Sequence, residues 1–273
     1  MQKRKAVWPW VIVGVVAVGG AGWWLFKDDL QKLASPQVNA LPEHLPPSGP
    51  SAPAEPTAPA TPAGPQYPLA AEDAADPALP GLTDSDAAAW QALGTLFPAD
   101  ALGLLLREHL VQRVVVHIDN LTQPSLPATA MAVRPLPGAL QVEPGAEGGS
   151  QIAAANSARY APYVAAFSQA DVAALGKAYR RFYPLFQQAY RETGHPQAHF
   201  NDRLVAVIDH LLAAPEPQRP LAVQADERGR QRFVDPALQQ LSVGQKALLR
   251  LDAAQATAVK QQLRAFRAEI TRG

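Results

Sequence analysis

The chain has 273 residues, a formal net charge of zero and no cysteine. The absence of cysteine excludes a disulfide framework, thiolate chemistry and cysteine-ligated zinc. Residues 81–273 hold 19 Lys and Arg against 17 Asp and Glu, and so weak a positive charge predicts no nucleic-acid partner.

An uncharged run of 20 residues, Val7 to Phe26, follows three basic residues at positions 3–5. As a helix it is long enough to cross a bilayer core of roughly 30 Å, and tryptophans lie near both ends, where their rings favour the interface. A cleaved signal peptide is the alternative, but the run exceeds the roughly 7–15 apolar residues typical of one, and bulky residues at 23–26 make a poor cleavage site. We predict that residues 1–27 form a cytoplasmic N-terminus and a transmembrane helix in contact with the lipid bilayer, with the rest of the chain on the opposite side.

Residues 28–80 form the predicted linker. Residues 36–80 contain 13 of the 27 prolines, separated mostly by Ala, Ser, Thr and Glu, and this composition has too little apolar surface to offset the entropy of ordering. We expect a disordered spacer that reaches roughly 140 Å when fully extended. A proline-rich ligand for a recognition domain is the alternative, although such domains are rare outside the cytoplasm.

The folded segment begins near Gly81, and its first part contains two predicted helices and a long loop. Capping oxygens at positions 83–86 precede AAAWQALGTLF, Pro98 ends that helix, and Asp100 caps a second helix with leucines at helical spacing through Leu110. The β-branched run VVVHI (114–118) fits either an extension of this helix or a strand. Residues 121–155 are rich in Pro, Gly and Ala and predict a loop with at most a short hairpin.

The segment 168–190 predicts a helix with an aromatic face. Ser168 and Asp171 have the spacing of a capping box, and Pro184 is expected to kink the helix or to divide it in two. Five aromatic residues at i, i+3, i+4, i+7 and i+11 lie on one side of it: Tyr179, Phe182, Tyr183, Phe186 and Tyr190. Such a stripe fits a ligand groove or a hydrophobic core, and we favour the core.

The stretch HFNDRLVAVIDHLLAAP (199–215) concentrates polar residues on one predicted helix. With Asn201 as N-cap, the apolar side chains cover an arc of roughly 160° and face the core. Asp202 and Asp209 then share one flank of the helix, and Arg203 and His210 share the other. Asp209 and His210 diverge by about 100° and therefore do not converge on one metal ion.

Metal and catalytic motifs are not found in the sequence. His195 and His199 have the i, i+4 spacing of a zinc helix, but Gly194 and Pro196 favour a loop there, and HExxH is missing. GxSxG, GxGxxG and GxxxxGK[ST] are missing as well. We therefore predict no metal site, no cofactor and no assigned catalytic residue.

The last part of the chain predicts a hairpin and three more helices. Residues 221–234 alternate weakly around ADERGR, which indicates a two-stranded hairpin. Asp235-Pro236, Ser242 and the pair Asp252 and Gln255 predict the three helix starts. The fold class predicted for residues 81–273 is mainly α: a multi-helix globular domain with one or two short β-hairpins.

Seven short blocks resemble, in order, the bacterial domain-of-unknown-function family 3014. They are IDNL (118–121), NSARYAPYV (156–164), YPLFQQAY (183–190), FNDRL (200–204), IDHLL (208–212), VDP (234–236) and GQKALLR (244–250). The resemblance covers residues 81–270 and implies a membrane-anchored envelope protein with a proline-rich linker, without an established activity. The family tends to have aromatic residues where this chain has His195 and His199, and this departure further weakens a metal site.

The same blocks concentrate the polar residues of the candidate site: Asp119, Asn120, Asn156, Arg159, Asn201, Asp202, Arg203, Asp209, His210 and Gln245. Two interpretations stay open, a polar binding surface and a buried hydrogen-bond network that fixes the fold. Asp119 and Asn120 fit either polar residues at the edge of a pocket or residues that end a helix. For Asn156 and Arg159, a hydrogen bond across a loop competes with a local cap.

Two functions are compatible with these observations. The first is a single-pass inner-membrane protein whose periplasmic domain binds or scaffolds an envelope protein, since a long spacer lets a domain reach a partner away from the membrane. The alternative is a cell-envelope hydrolase that uses Asp119, Asp202 or His210. Carboxylates for glycoside chemistry would need to lie about 5 Å or about 6.5–9.5 Å apart. The sequence identifies neither partner nor substrate.

Overall fold

A computed structural model of the chain describes residues 64–69, 78–145, 148–227 and 229–272. The predicted transmembrane run, residues 7–26, lies outside these ranges. Within them, no helix combines the length and the apolar character needed to cross a bilayer.

The described residues form nine α-helices and four short strands, so the mainly helical fold class is confirmed. The helices are α1 (Asp86–Leu96), α2 (Ala99–Leu102), α3 (Leu110–Asn120), α4 (Asn156–Ser168), α5 (Val172–Glu192), α6 (Phe200–Leu212), α7 (Pro236–Gln239), α8 (Val243–Arg250) and α9 (Ala253–Ile270). The strands are β1 (Val142–Pro144), β2 (Ser150–Ile152), β3 (Ala222–Ala225) and β4 (Gln231–Phe233).

The main core lies between the long helices. Helix α9 packs against α4, α5 and α6, and α3 packs against α1, α5 and α6. The aromatic stripe of α5 lies inside this core: Tyr179, Phe182, Phe186 and Tyr190 are all buried, and Tyr183 is partly buried against them. The stripe is therefore part of the hydrophobic core, and the interpretation that we favoured from the sequence is confirmed. Pro184 lies within a single helix, Val172–Glu192, and does not divide it.

The four strands form one antiparallel sheet in the order β1-β2-β3-β4. The hairpin predicted within residues 221–234 is present as β3 and β4, and β1 and β2 form the short hairpin that was left open for residues 121–155. The two hairpins pair with each other through β2 and β3, with Ser150 opposite Val223. The sheet covers a second, small apolar cluster to which α8 contributes Leu249. The union of the two hairpins was not predicted, since it depends on pairing between residues far apart in the chain.

Several predicted helix starts are confirmed by their cap hydrogen bonds. Asp252 and Gln255 form a complete capping box at the start of α9. The Ser242 hydroxyl accepts the backbone N–H of Gln245 at the start of α8, and Asp235 caps α7 with Pro236 as the first helical residue. In each case both cap partners lie within three residues of each other, so local sequence suffices to identify them.

Other predicted caps are wrong because the side chains have different partners. Ser168 is the last residue of α4 and donates its hydroxyl to the Val164 carbonyl, while Asp171 alone caps α5. The carboxylate of Asp86 accepts the backbone N–H groups of His109 and Leu110 at the start of α3. The second helix, α2, has only four residues, and the VVVHI run belongs to a separate helix, α3.

Candidate functional site

Helix α6 carries the predicted polar residues on two flanks, as its spacing indicated. Asp202 and Asp209 face residues 64–69 and α9, whereas Arg203 and His210 face α3 and α8. We call the first the Asp202 flank and the second the Arg203 flank. The predicted N-cap is wrong: His199 precedes the helix, and Asn201 lies in its first turn.

Residues 64–69, which we call the strap, lie on the Asp202 flank. The two carboxylate oxygens of Asp202 accept consecutive backbone N–H groups, from Gln66 at 2.9 Å and from Tyr67 at 2.8 Å. Hydrogen bonds to an ionised acceptor are the stronger kind. Tyr67 and Leu69 are partly buried against the main core. The strap falls within residues 28–80, the segment predicted to be a disordered spacer, and it is held on the domain.

Asn201 joins the strap to the core. Its side-chain amide donates to the Tyr67 carbonyl at 2.9 Å and to the Ile270 carbonyl at 3.1 Å, and its Oδ1 accepts the Tyr179 hydroxyl at 3.0 Å. The residue is 1 % exposed. A buried polar group must be hydrogen-bonded to be tolerated, and here the strap supplies one of the partners.

Arg267 of α9 closes the other side of the strap. Asp209 binds its guanidinium through both carboxylate oxygens, with N···O distances of 2.5 and 2.9 Å. The guanidinium carbon lies 5.9 Å from the centre of the Tyr67 ring, within the range of a cation–π contact. The hydrogen bond with Asp209 is the main cause that raises the pKa of Arg267 above its ordinary value. We call Asn201, Asp202, Asp209 and Arg267 together the strap groove.

On the Arg203 flank, the polar residues connect helices of the domain. Arg203 donates to the Asp119 carboxylate at 2.6 Å, to the Asp119 carbonyl at 2.6 Å and to the Thr122 hydroxyl at 2.8 Å. His195 lies 3.5 Å from the same carboxylate and stacks on Tyr190. The helix-stop interpretation of residues 119–120 is confirmed, because α3 ends at Asn120, whose amide donates to the Val116 carbonyl.

The far end of the Arg203 flank is a network between α6 and α8. His210 Nε2 and the Ser242 hydroxyl are 2.8 Å apart, and the Gln245 amide donates to the His210 carbonyl at 3.0 Å. Burial lowers the pKa of His210, with the charge of Arg203 as the second cause. Gly244 allows the close approach of the two helices, since a Cβ there would lie 2.5 Å from Leu211 Cδ2 and 2.9 Å from the Leu121 carbonyl oxygen.

Asn156 and Arg159 have a separate role at the loop before β1. The Asn156 side chain binds both the N–H and the carbonyl of Gln141, at 3.0 and 2.7 Å. Arg159 donates to the carbonyls of Pro137 and Gly138. The structure therefore confirms the hydrogen bond across a loop, and it gives this pair no contact with the strap groove.

The described ranges contain no group of three or more His, Cys, Asp or Glu side chains arranged to hold a metal ion. Asp119 and Asp202, the two carboxylates considered for hydrolase chemistry, have different partners: Arg203 binds the first, and strap backbone N–H groups bind the second.

Sequence reasoning missed three residues of the site: Gln66, Tyr67 and Arg267. One signal for the strap does exist, because Tyr67 is the single aromatic residue in the predicted linker, residues 28–80. Pro68 follows it, and a residue before proline favours extended backbone. The stretch PQYPL thus combines the aromatic side chain with the extended backbone that proline favours in the residue before it.

The chain belongs to a family that is described as protein of unknown function (DUF3014). The family model matches residues 110–267, which is more than half of the chain, and the resemblance of the seven blocks is confirmed. No curated protein and no solved structure matches the chain. The matched region includes both flanks of α6 and Arg267, whereas the strap lies outside it.

Proposed function

We propose that this protein is an inner-membrane-anchored binding module whose helical domain faces the periplasm and binds an extended segment of an envelope protein. One observation carries the proposal: Asp202 and Asn201 bind the backbone of the strap through two N–H groups and one carbonyl. Main-chain hydrogen bonds of this kind provide affinity for an extended peptide with little dependence on its side chains. The strap groove is therefore suited to a protein ligand.

The membrane anchor and the spacer fit the same function. Residues 7–26 would hold the domain at the membrane, and the proline-rich linker would let it reach a partner some tens of Å away. The topology has its own test. A reporter that is active only in the periplasm, fused after Gly273, is expected to be active, and an inactive but stable fusion would contradict the proposed location.

The binding site is tested by site-specific photo-cross-linking in cells. We would place a photoreactive residue at Ala206, which is exposed and lies one turn from Asp202 on the same flank. A matched control probe at Ala161 lies on an exposed face of α4. We expect one envelope protein to be cross-linked from Ala206 and not from Ala161.

The decisive comparison is the same pair of probes in an Asp202→Ala background, at matched protein level. Loss of the cross-link in that background, with the melting temperature of the purified variant nearly unchanged, would assign the partner to the strap groove. Identical cross-linked proteins from both probes, or a cross-link that is insensitive to Asp202, would contradict the proposal.

The hydrolase alternative has one pair of atoms in its favour, the Ser242 hydroxyl and His210 Nε2 at 2.8 Å. However, the hydroxyl already caps α8 and the serine is 7 % exposed. Ser242→Asp separates the two roles, because aspartate keeps a good N-cap and removes the nucleophile. We expect this variant to retain the function of the protein in cells. A folded Ser242→Asp variant without function would favour the hydrolase.

A further inference from the structure

The strap is a piece of the chain itself, yet it fills the surface that the proposed function needs. It is joined to the strap groove by three main-chain hydrogen bonds and by the contact of Tyr67 with Arg267. Its residues lie more than 130 positions away from Asn201 and Asp202 in the sequence. The strap is also outside the family-matched residues 110–267, whereas the strap groove is inside them.

We infer that the strap is an intramolecular competitor, and that the partner presents a similar extended segment with an aromatic residue directly before a proline. This inference rests on the proposed binding function and adds the class of ligand and its regulation. Free protein holds the groove closed, and a partner binds by displacing residues 64–69.

The chemistry of the groove defines the ligand. Asp202 accepts two consecutive backbone N–H groups, so neither of those two positions in the ligand can be proline. The second position carries the side chain that lies against Arg267, and an aromatic ring with its negative face suits a cation that Asp209 holds in place. A proline directly after that position keeps the ligand extended before it binds, as Pro68 does after Tyr67.

The strap competes efficiently because it is tethered. A segment joined to its site by a short stretch of chain has an effective concentration on the order of millimolar. The apparent affinity of an external ligand falls by the fraction of protein whose groove is open. A strap that docks with a Kd of about 0.1 mM, at an effective concentration of about 1 mM, leaves the groove open in about one molecule in ten. The affinity for an external peptide is then reduced by about tenfold.

Two variants of the strap test this competition in the detergent-solubilised full chain. Tyr67→Pro removes both the ring and one of the N–H groups that bind Asp202. Gln66→Ala is the matched control, since it keeps every backbone contact and removes an exposed side chain together with its 3.4 Å hydrogen bond to the Tyr67 hydroxyl. The probe is a fluorescent peptide with the sequence of residues 63–70, AGPQYPLA, and binding is measured by fluorescence anisotropy.

We expect the peptide to bind Tyr67→Pro about tenfold more tightly than the wild type, and Gln66→Ala to match the wild type. The double variant Tyr67→Pro/Asp202→Ala should lose most of this affinity. Equal affinity of the wild type and Tyr67→Pro would overturn the competition. A dimer of the wild type that Tyr67→Pro dissociates would overturn the intramolecular arrangement, because the strap would then dock on a second copy.

The cross-link from Ala206 separates this inference from the proposed function. If the partner is captured equally by the wild type and by Tyr67→Pro, the groove is a binding site without a competitor, and only the inference fails. If Ala206 captures no specific partner in either protein and the peptide binds neither, both fail. Stronger capture by Tyr67→Pro than by Gln66→Ala supports both.

Discussion

The two flanks of α6 have the same sequence pattern and different surroundings. Each has two polar residues seven positions apart, Asp202 with Asp209 and Arg203 with His210. On the Arg203 flank, the partners are Asp119, Thr122, Ser242 and Gln245, which all belong to neighbouring helices or their ends. On the Asp202 flank, Asp202 binds the backbone of a segment from outside the family-matched region.

This difference shows that a cluster of polar residues can divide into two functions along one helix. The Arg203 flank fits the network interpretation, since each of its residues fixes one helix against another. Asp202 fits the binding interpretation, since its carboxylate holds an extended chain, whereas Asp209 on the same flank also joins α6 to α9 through Arg267. The two interpretations considered for the candidate site therefore apply to different residues, and substitutions at adjacent positions can separate them.

Asn201 is expected to give the largest effect, because it belongs to the core as well as to the strap groove. Asn201→Ala leaves the buried Tyr179 hydroxyl and the Ile270 carbonyl without their partner. Each unsatisfied buried group costs about 1–3 kcal/mol, so we expect a loss of about 3 kcal/mol in the free energy of unfolding. The melting temperature should fall by roughly 6–12 °C in thermal denaturation. A loss below about 1 kcal/mol would show that Asn201 contributes to the strap groove and not to the stability of the core.

Arg203→Ala should destabilise the domain by about 1–2 kcal/mol, measured by urea unfolding. The side chain is half-buried, and it connects α6 to the end of α3 through three hydrogen bonds, one of them to a carboxylate. Asp202→Ala at the adjacent position is the control, with an expected loss below about 1 kcal/mol. If the order of the two losses were reversed, the assignment of network and binding roles to the flanks would be wrong.

Asp202→Ala is expected to release the strap while the helices stay folded. The amide hydrogens of Gln66 and Tyr67 are bound to the carboxylate, so hydrogen exchange of a peptide that covers residues 64–69 should become fast in the variant. Exchange in α6 and α9 should change little. Arg203→Ala is the control, because it keeps the Asp202 carboxylate, and hydrogen exchange in the strap should stay slow in this variant. Fast hydrogen exchange of the strap in the wild type would show that the Asp202 flank does not bind residues 64–69.

The sequence allowed the two flanks to be predicted because the helical period depends only on spacing. It also allowed the caps at Asp235, Ser242 and Asp252 to be predicted, since a cap and its partner are local. Asn201 was placed wrongly as an N-cap because its side chain is used by tertiary partners, Tyr179 and Ile270, that no local pattern indicates.

The strap and the four-stranded sheet could not be predicted for the same physical reason. Tyr67 meets Asp202 across 135 positions, and β2 meets β3 through the pair Ser150 and Val223. Such contacts depend on which surfaces the folded helices leave adjacent, and hydrophobic periodicity does not contain that information. The composition of residues 28–80 indicated disorder on average, and a short docked stretch that contains one tyrosine hardly changes that average.

The smallest expected effect is the pH dependence that His210 gives to the Arg203 flank. Burial, with a contribution from the charge of Arg203, lowers the pKa of His210 in the folded state. As the pH falls, His210 is therefore protonated in the unfolded chain before it is protonated in the folded protein. The stability due to neutral His210 is fully present above the ordinary histidine pKa of about 6.5. It is lost as the pH falls through the lower pKa of the folded state. Wild-type protein should therefore lose more stability between pH 7.5 and pH 5 than His210→Gln does, in urea unfolding.

Arg203→Ala should reduce this difference, because it removes one of the two causes of the lowered pKa, whereas Asp202→Ala should not reduce it. An equal pH dependence in the wild type and His210→Gln would show that His210 is no part of a buried network, and the distinction between the two flanks would then depend on Arg203 alone.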